Sequence, residues 1–520
     1  MSKESIAKIS KNYKRSVGKI TCINNEIDPS QPFTLSNEGN EEVMGSCFSV
    51  RSSSIYLPRE NCHKRYMITN AHVIEGASTK RVNISFPHLG NAVIWGNVIL
   101  ACKALDFAII EVTAENNLHL EKDIGQTFNQ VFQTIPFVKL SSNPVNTNSE
   151  IAQDVLAIGY PLDSNDSHIS TGVISGKHEH YLQINGSINS GNSGGPLFDS
   201  NAICIGINAA SFETSEGITL AIEWAHVTKM LRHYWDQKVL VAYPPSLGIL
   251  TKRLIDSYAA TQLKDENIKG VLVDTVHKEN VFGTNVKKGD VIMSIGDERY
   301  EWEIDRSGNI NIPYQHDKVK FQSLNVLMLL DPQSCFLRVY SKSKRKTVTF
   351  TLRAIENRVK NVMPSLEPIP CFTCGGLIFT QLTRNHMEEV PEDIDPTVVN
   401  FFTQTHGSQE AVVISSYTLP CSLIEQGYTV KKLTIVKAID DRKVTNVKEL
   451  KERLTKCLKN YEKNPRQKKY RYVKLETQSE TMWMDVKKIF ETEMLLQATP
   501  AYPMEYSIVN QSSNKRRRLL

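Results

Sequence analysis

Between the apolar runs VLAIGY (Val155–Tyr160) and AICIGINAA (Ala202–Ala210) lies GSINSGNSGGPLF (Gly186–Phe198), with four glycines and five serines or asparagines in thirteen residues. A flexible linker does not usually sit between two strand-like apolar runs. The alternative is a turn whose backbone bends sharply, or lies so close to another group that side chains are excluded. In GNSGGPL, Ser193 sits in such a turn, with Gly191 two residues before it and Gly194 and Gly195 after it. A turn of this kind can aim the amides of Gly191 and Ser193 at one point, as stabilising an oxyanion requires.

A serine hydroxyl is a weak nucleophile and needs a base, itself held by an acid. YMITNAHVIEGA (Tyr66–Ala77) places His72 where a strand-like run enters a turn, and ALDFAIIEV (Ala104–Val112) places Asp106 at the start of an apolar strand. A histidine beside an apolar run is often structural, and an aspartate before a strand is often a turn residue. Together, in the order His, Asp, Ser, they match the chain order of chymotrypsin-type enzymes rather than of subtilisin or α/β-hydrolase types.

These segments, with GSCFSV (Gly45–Val50) and GITLAIEW (Gly217–Trp224), resemble in order and context the protease domain of the HtrA/Deg family of ATP-independent serine proteases. The resemblance covers roughly residues 40–230. It implies two perpendicular six-stranded β-barrels with the active site between them, His72 as general base, Asp106 as its orienter, Ser193 as nucleophile, and the Gly191 and Ser193 amides as oxyanion hole. Family members commonly have GSGF where this chain has GSCF, which puts Cys47 beside the site and raises it as a rival nucleophile. By the family's geometry Ser187, Ile188 and Ala209, Ala210 and Ser211 line the primary substrate pocket. That lining predicts a preference for Val, Leu or Ile, side chains normally buried, and so a substrate that is unfolded or damaged polypeptide.

After the Pro-containing link AYPPSLGIL (Ala242–Leu250) come GVLVDTV (Gly270–Val276) and VKKGDVIMSIGDERY (Val286–Tyr300). With the apolar-Gly-apolar Leu247-Gly248-Ile249, they resemble a PDZ domain, whose loop amides capture a peptide carboxylate while the peptide adds a strand to the sheet. The series returns, degenerate, as VKKLTIVKAIDDRKV (Val430–Val444), 144 residues on, with AVVISSYTLPC (Ala411–Cys421) answering GVLVDTV. CFTCGGLIFTQLT (Cys371–Thr383) precedes this second copy, whose nearest counterpart to the first loop is GGLIF (Gly375–Phe379). The layout resembles plant-type Deg proteases, in which a diverged second PDZ-like domain often serves assembly, and a structural role is expected for it here.

The expected architecture is mainly β: a chymotrypsin-like double six-stranded barrel followed by two small α+β PDZ-like domains. The boundaries are an N-terminal segment at 1–38, the protease at 39–240, the first PDZ domain at 246–355, the second at 366–495 and a basic tail at 496–520. The chain holds 520 residues, 40% hydrophobic and 22% charged, as in ordinary globular protein. Its first twenty residues are charged throughout, no run is long and apolar enough to span a bilayer, and its ten cysteines are scattered. A reducing setting, cytoplasm or nucleus, is expected. CFTC has no second pair at metal-like spacing, so no metal or cofactor is expected.

Between Lys448 and Lys474 eleven Lys or Arg stand against three Glu, and the chain closes on NKRRRLL. The first is read as a solvated face and Lys515–Arg518 as a possible nuclear address; nucleic acid is not an expected partner. The expected partners are unfolded or C-terminally exposed polypeptides, and further copies of the chain in trimer-based assemblies, as the resemblance implies. A rival function is a catalytically silent or chaperone-like PDZ scaffold, which has no need of all three of His72, Asp106 and Ser193.

Overall fold

The computed structural model describes residues 1–24, 28–33, 41–57, 63–77, 79–141, 149–161, 164–186, 191–211, 218–234, 239–265, 267–277, 279–312, 318–355, 359–389, 398–399, 401, 413–418, 433–498 and 503–509. Ser187, Ile188 and Lys515–Arg518 lie outside the described residues, as do the side chains of Ala210 and Ser211. The chain divides into two compact units, one of residues 1–24 and 40–355, the other of 25–39 and 356–520. Among the described residues no helix is long and apolar enough to cross a membrane.

The first unit opens with α1 (Lys3–Tyr13), capped by the Ser2 side chain, which accepts from the Ser5 amide. Six antiparallel strands then close a barrel: β1 (Val17–Asn24), β2 (Glu41–Val50), β3 (Lys64–Thr69), β4 (Arg81–Ser85), β5 (Val93–Cys102) and β6 (Phe107–Thr113), in the order β1-β2-β3-β6-β5-β4. The helix α2 (Ala71–Glu75) leaves the end of β3, and α3 (His119–Ile124) and α4 (Phe128–Gln133) follow the barrel. A second barrel, β7 (Asp154–Gly159), β8 (His168–His178), β9 (Tyr181–Asn185), β10 (Pro196–Phe198), β11 (Cys204–Ser211) and β12 (Ile218–Glu223), closes as β10-β11-β12-β9-β8-β7, and α5 (Trp224–Tyr234) follows it.

The expected protease boundary at residue 39 is corrected by this topology. β1 pairs with both β2 and β4 and so closes the first barrel, while Ile9 of α1 joins the core and Tyr13 stacks on Phe198 at 4.9 Å between ring centroids. One core runs through both barrels, with Phe48, Ile68 and Phe107 from the first and Leu156, Phe198 and Ile222 from the second. Burying such side chains is worth about 1.5–3 kcal/mol each, which fixes the two barrels against each other.

The rest of this unit is a sheet of β14 (Ile249–Arg253), β15 (Val271–Val276), β16 (Val291–Gly296), β20 (Cys335–Ser341) and β21 (Lys344–Phe350), in that order, with β17 (Glu301–Glu303) on β16. Short pairs join β13 (Pro245–Ser246) to β22 (Arg353–Ala354), and β18 (Asn309–Ile310) to β19 (Val319–Lys320). The one-turn α6 (Leu324–Leu327) precedes β20.

The second unit builds the same sheet with an added strand: β23 (Cys371–Cys374), β24 (Leu377–Gln381), β25 (Val413–Thr418), β26 (Thr434–Ile439), β28 (Tyr472–Thr477) and β29 (Thr481–Asp485), with β27 (Arg442–Lys443) on β26. The helix α7 (Val447–Lys463) is capped by Asn446, whose side chain accepts from the Glu449 amide, and buries Val447, Leu450, Leu454 and Leu458, a 3–4 residue spacing that makes one apolar stripe. α8 (Val486–Leu496) follows β29.

The internal repeat extends to strand register. In the first sheet Ile249 pairs Val276 and Leu250 pairs Thr275, and a bulge then brings Thr251 to Val273. In the second, Leu377 pairs Thr418 and Ile378 pairs Tyr417, and a bulge brings Phe379 to Ser415. The match continues from Ile292 opposite Val339 to Val436 opposite Thr477, each followed by a bulge. Leu377 therefore holds the position of Ile249. The expected tail boundary at 496 is corrected as well: Ile508 and Val509 are core residues of this unit, because apolar side chains next to an open core fold into it despite the basic segment beyond.

Candidate active site

Asn70 leaves β3 in an extended conformation (φ −79°, ψ 154°) and starts α2, so that His72 enters in the first turn. Asp106 ends a 3₁₀ turn in the left-handed region (φ 47°, ψ 47°), which Asp tolerates better than most side chains, and β6 begins at the next residue. The Asn70 side-chain amide donates to the Asp106 carbonyl at 2.9 Å and fixes that turn.

The Asp106 carboxylate holds His72 twice. Oδ1 accepts the His72 backbone N–H at 2.9 Å, and Oδ2 lies 2.8 Å from the ring Nδ1. With Nδ1 engaged by the carboxylate, Nε2 is the ring's free basic atom. Burial alone disfavours the charged ring, but the Asp106 hydrogen bond and the Asp106 and Glu75 carboxylates outweigh it, and the His72 pKa lies above its ordinary value. The His72 side chain is 38% exposed, open enough to meet a substrate.

The turn at 191–195 is built on the second barrel and tied to the first. Gly191 and Gly194 have φ of 93° and 87°, and a Cβ on Gly194 would lie 2.1 Å from the Ser46 carbonyl oxygen, one on Gly195 2.1 Å from that of Ile158. The Gly194 N–H donates to Asn208 O at 2.9 Å, and Asn208 N–H returns to Gly195 O at 2.8 Å. Ser193 is buried at 7% exposure. Its Oγ makes no hydrogen bond to a described residue, and neither the Gly191 nor the Ser193 amide donates to one. The bareness of the sequence here is thus a close approach of backbones from both barrels.

Ser46 is the residue that the sequence did not single out. Its hydroxyl donates to Gly191 O at 2.7 Å and accepts from the Tyr160 N–H at 2.8 Å, its N–H donates to Ser193 O at 2.7 Å, and its carbonyl accepts from Thr69 Oγ1 at 2.8 Å. The available signal was Ser46, one of two serines in the short run GSCFSV, the other being Ser49. The neighbouring Cys47 is fully buried, and burial pushes its thiol pKa well up, which fits a core thiol better than a nucleophile. CFTC forms strand β23, and burial pushes the Cys371 thiol up to about 12. Among the described residues no group of three or more His, Cys, Asp or Glu could hold a metal.

Of the expected pocket, Ala209 is described and is 5% exposed on β11. Leu247 and Ile249 are each buried at 2%, and Gly248 between them has φ 69°. The Gly248 N–H donates to Ser246 Oγ at 3.2 Å.

Two closed six-stranded barrels, with a carboxylate-held histidine on the first and a glycine-framed serine on the second, define a trypsin-like peptidase domain, and the family of that description matches residues 45–207. A PDZ domain family matches residues 365–514. The two domain types follow one another along the chain in this order. HtrA-like serine proteases of Staphylococcus aureus are similar over 367 residues, 23% identical in strain bovine RF122/ET3-1 and 24% in strain USA300. Each match covers 66% of this chain and 41% of the relative, so the chain spans about two fifths of their length. Among solved structures, the HtrA-type protease AlgW with a decapeptide is 19% identical, with a TM-score of 0.45 over 67% of this chain and 99% of that one. The serine endoprotease from Yersinia pestis is also 19% identical, with a TM-score of 0.43 over 68% and 99%.

Proposed function

We propose that this chain is an ATP-independent serine endopeptidase that cleaves unfolded or damaged polypeptides. The observation that carries the reading is the double hold of Asp106 on His72, which sets one tautomer and one ring orientation and leaves Nε2 as the base. In the reaction Ser193 Oγ attacks the scissile carbonyl carbon and its proton passes to His72 Nε2. The Gly191 and Ser193 amides stabilise the oxyanion, and His72 returns the proton to the leaving amine. Water, deprotonated by the same nitrogen, then releases the acyl group and restores the serine. Hydrogen bonds of this kind often tighten only when substrate is bound, and a Ser193 hydroxyl without a partner among the described residues is consistent with that.

Ala209, with Ser187, Ile188, Ala210 and Ser211, is the proposed primary pocket and favours cleavage after Val, Leu or Ile. Leu247, Gly248 and Ile249 are the proposed carboxylate loop of the first PDZ domain, which delivers extended chains to the barrels. Assembly into trimer-based homo-oligomers completes the reading. The silent-scaffold alternative is not favoured, because a scaffold has no use for a carboxylate that fixes both the backbone and the ring of one histidine.

A serine-directed phosphonate should label the chain, and Ser193→Ala should abolish both labelling and casein hydrolysis, a loss on the order of 10⁶ in rate by analogy with another triad protease. Hydrolysis at the native rate by Ser193→Ala would reject the assignment. Mass-spectrometric mapping of the cuts in a denatured protein tests the pocket: a majority after Lys or Arg would show that its lining is misassigned.

A further inference from the structure

The two PDZ-type sheets share strand order and register but differ at one edge. In the first, β14 is the edge strand of its sheet, with Leu250, Lys252 and Arg253 exposed. The chain just ahead of it leads away, β13 pairing with β22. In the second, the chain ahead of β24 folds straight back. Gly375 and Gly376, with φ of 60° and 80°, make a two-residue hairpin turn that only glycine adopts without strain. β23 then runs antiparallel along β24, Cys371 opposite Thr380, Phe372 opposite Phe379, Thr373 opposite Ile378 and Cys374 opposite Leu377.

Because Leu377 holds the register position of Ile249, β23 covers the edge that no strand pairs on β14, where the Gln322 side chain reaches in, its Nε2 donating to Ile249 O at 3.2 Å. An extended peptide docks by adding a strand to such an edge, with pockets taking alternate side chains. β23 is an added strand of this kind, supplied by the chain itself. Phe372 stacks on Phe379 at 5.0 Å, both fully buried, and the other side of β23 is closed by the Thr373 N–H donating to Tyr506 O at 3.0 Å.

The loop is filled too. Gly375 stands at the register position of Leu247, and its N–H donates at 2.8 Å to Oε1 of Glu493 on α8. The other carboxylate oxygen accepts from Ser507 Oγ at 2.6 Å. Glu493 and Ser507 are both fully buried. A buried carboxylate persists only where donors meet it, and here one donor is the amide of the loop that corresponds to the first domain's carboxylate loop.

We infer that β23 and Glu493 are a resident strand and a resident carboxylate in the second PDZ domain, occupying the place of an added peptide and its terminal carboxylate. This domain accordingly takes no chain ends, and capture falls to the β14 edge; that last clause rests on the capture role proposed above.

Hydrogen exchange read by mass spectrometry tests this on the full chain carrying Ser193→Ala, with and without excess of a ten-residue peptide ending in free Val. Without peptide, residues 371–381 should exchange at least tenfold more slowly than 249–253; equal rates would overturn the resident strand. Peptide should slow exchange at 247–253 and leave 371–381 unchanged, and slowing at 371–381 would overturn the closure. Slowing at neither segment would reject the capture role of the first domain and uphold closure of the second.

Gly376→Val with Glu493→Ala should free the β24 edge and give peptide-dependent slowing at 377–381; a folded variant without it shows that this edge is no peptide site. Glu493→Ala alone leaves the Gly375 amide and Ser507 hydroxyl without their acceptor. Acetate should then raise its Tm by several degrees over chloride at equal ionic strength, while the native chain shows no such difference. Equal responses of the two chains would overturn the carboxylate site.

Discussion

The Ser46 backbone N–H donates to the Ser193 carbonyl at 2.7 Å, so one residue of the first barrel fixes the serine turn of the second. The Ser46 hydroxyl reaches Gly191 O, two residues earlier in the same turn. The turn therefore keeps its shape only while the two barrels stay docked.

Ser46→Ala removes the acceptor of the Tyr160 amide and the donor to Gly191, both buried. Each buried group left unpaired costs about 1–3 kcal/mol. Urea denaturation should show a loss of that order, and kcat should fall on the order of tenfold with little change in KM, because the backbone that carries the proposed oxyanion amides loses its anchor. Unchanged kcat would separate Ser46 from the chemistry.

Gly194→Ala places a Cβ 2.1 Å from Ser46 O and 2.4 Å from Thr69 Oγ1, at a φ of 87°. Clash and strain together should cost at least about 3 kcal/mol, read as a fall in the denaturation midpoint and a loss of phosphonate labelling.

Asp106→Asn should lower kcat by about 10⁴, the effect of that substitution in another triad protease. The pH profile carries the sign. The base must be neutral, and Asp106 helps hold the His72 pKa above its ordinary value, so the acid limb of kcat/KM in the native chain lies above the usual imidazole range. In the Asn variant the residual activity should show that limb displaced to lower pH. A limb that does not move would mean that His72 is not the titrating base.

His180, at the end of the second barrel's β8–β9 turn, is 7% exposed, and among the described residues neither ring nitrogen has a hydrogen-bond partner. Burial first, then the facing His226 and His178, push its pKa down to about 4, against an opposing pull from Asp106. A depressed histidine pKa means that the unfolded chain takes up the proton first. Stability is thus lost as pH falls from the ordinary value near 6.5 towards 4, at about 1.4 kcal/mol per pH unit. His180→Phe, which keeps the contact with the Tyr181 ring at 4.1 Å, should flatten urea stability across that window.

Gly248→Val puts a Cβ 2.8 Å from the Asn280 Cα at a φ of 69°. It should abolish binding of peptides with free apolar C-termini, measured by calorimetry, while small peptide substrates are still cleaved. Deleting 370–495 should leave that binding in place and change the assembly mass seen by light scattering. The reverse pattern would exchange the roles of the two PDZ domains.

What the sequence by itself determined was local. His72, Asp106 and the glycines around Ser193 were legible because each needs a particular residue type at its own position: a base at a strand end, an acid in a turn, no side chain where backbones meet. The repeat was legible because alternation and turn residues survive divergence, VKKGDVIMSIGD against VKKLTIVKAIDD. Only the tertiary structure decided where strands of ordinary composition go. Val17–Asn24 reads as one more apolar run until it pairs with β2 and β4, and Ser46 as one more strand serine until Gly191 and Ser193 reach it from about 145 residues away. CFTC has the same pattern whether the chain leads away, as at β13, or folds back along β24, and Glu493 reads as one helix charge until Gly375 meets it from 118 residues away. Pairing partners and buried contacts between distant segments are set by the packing of the whole domain, and no single stretch of residues records them.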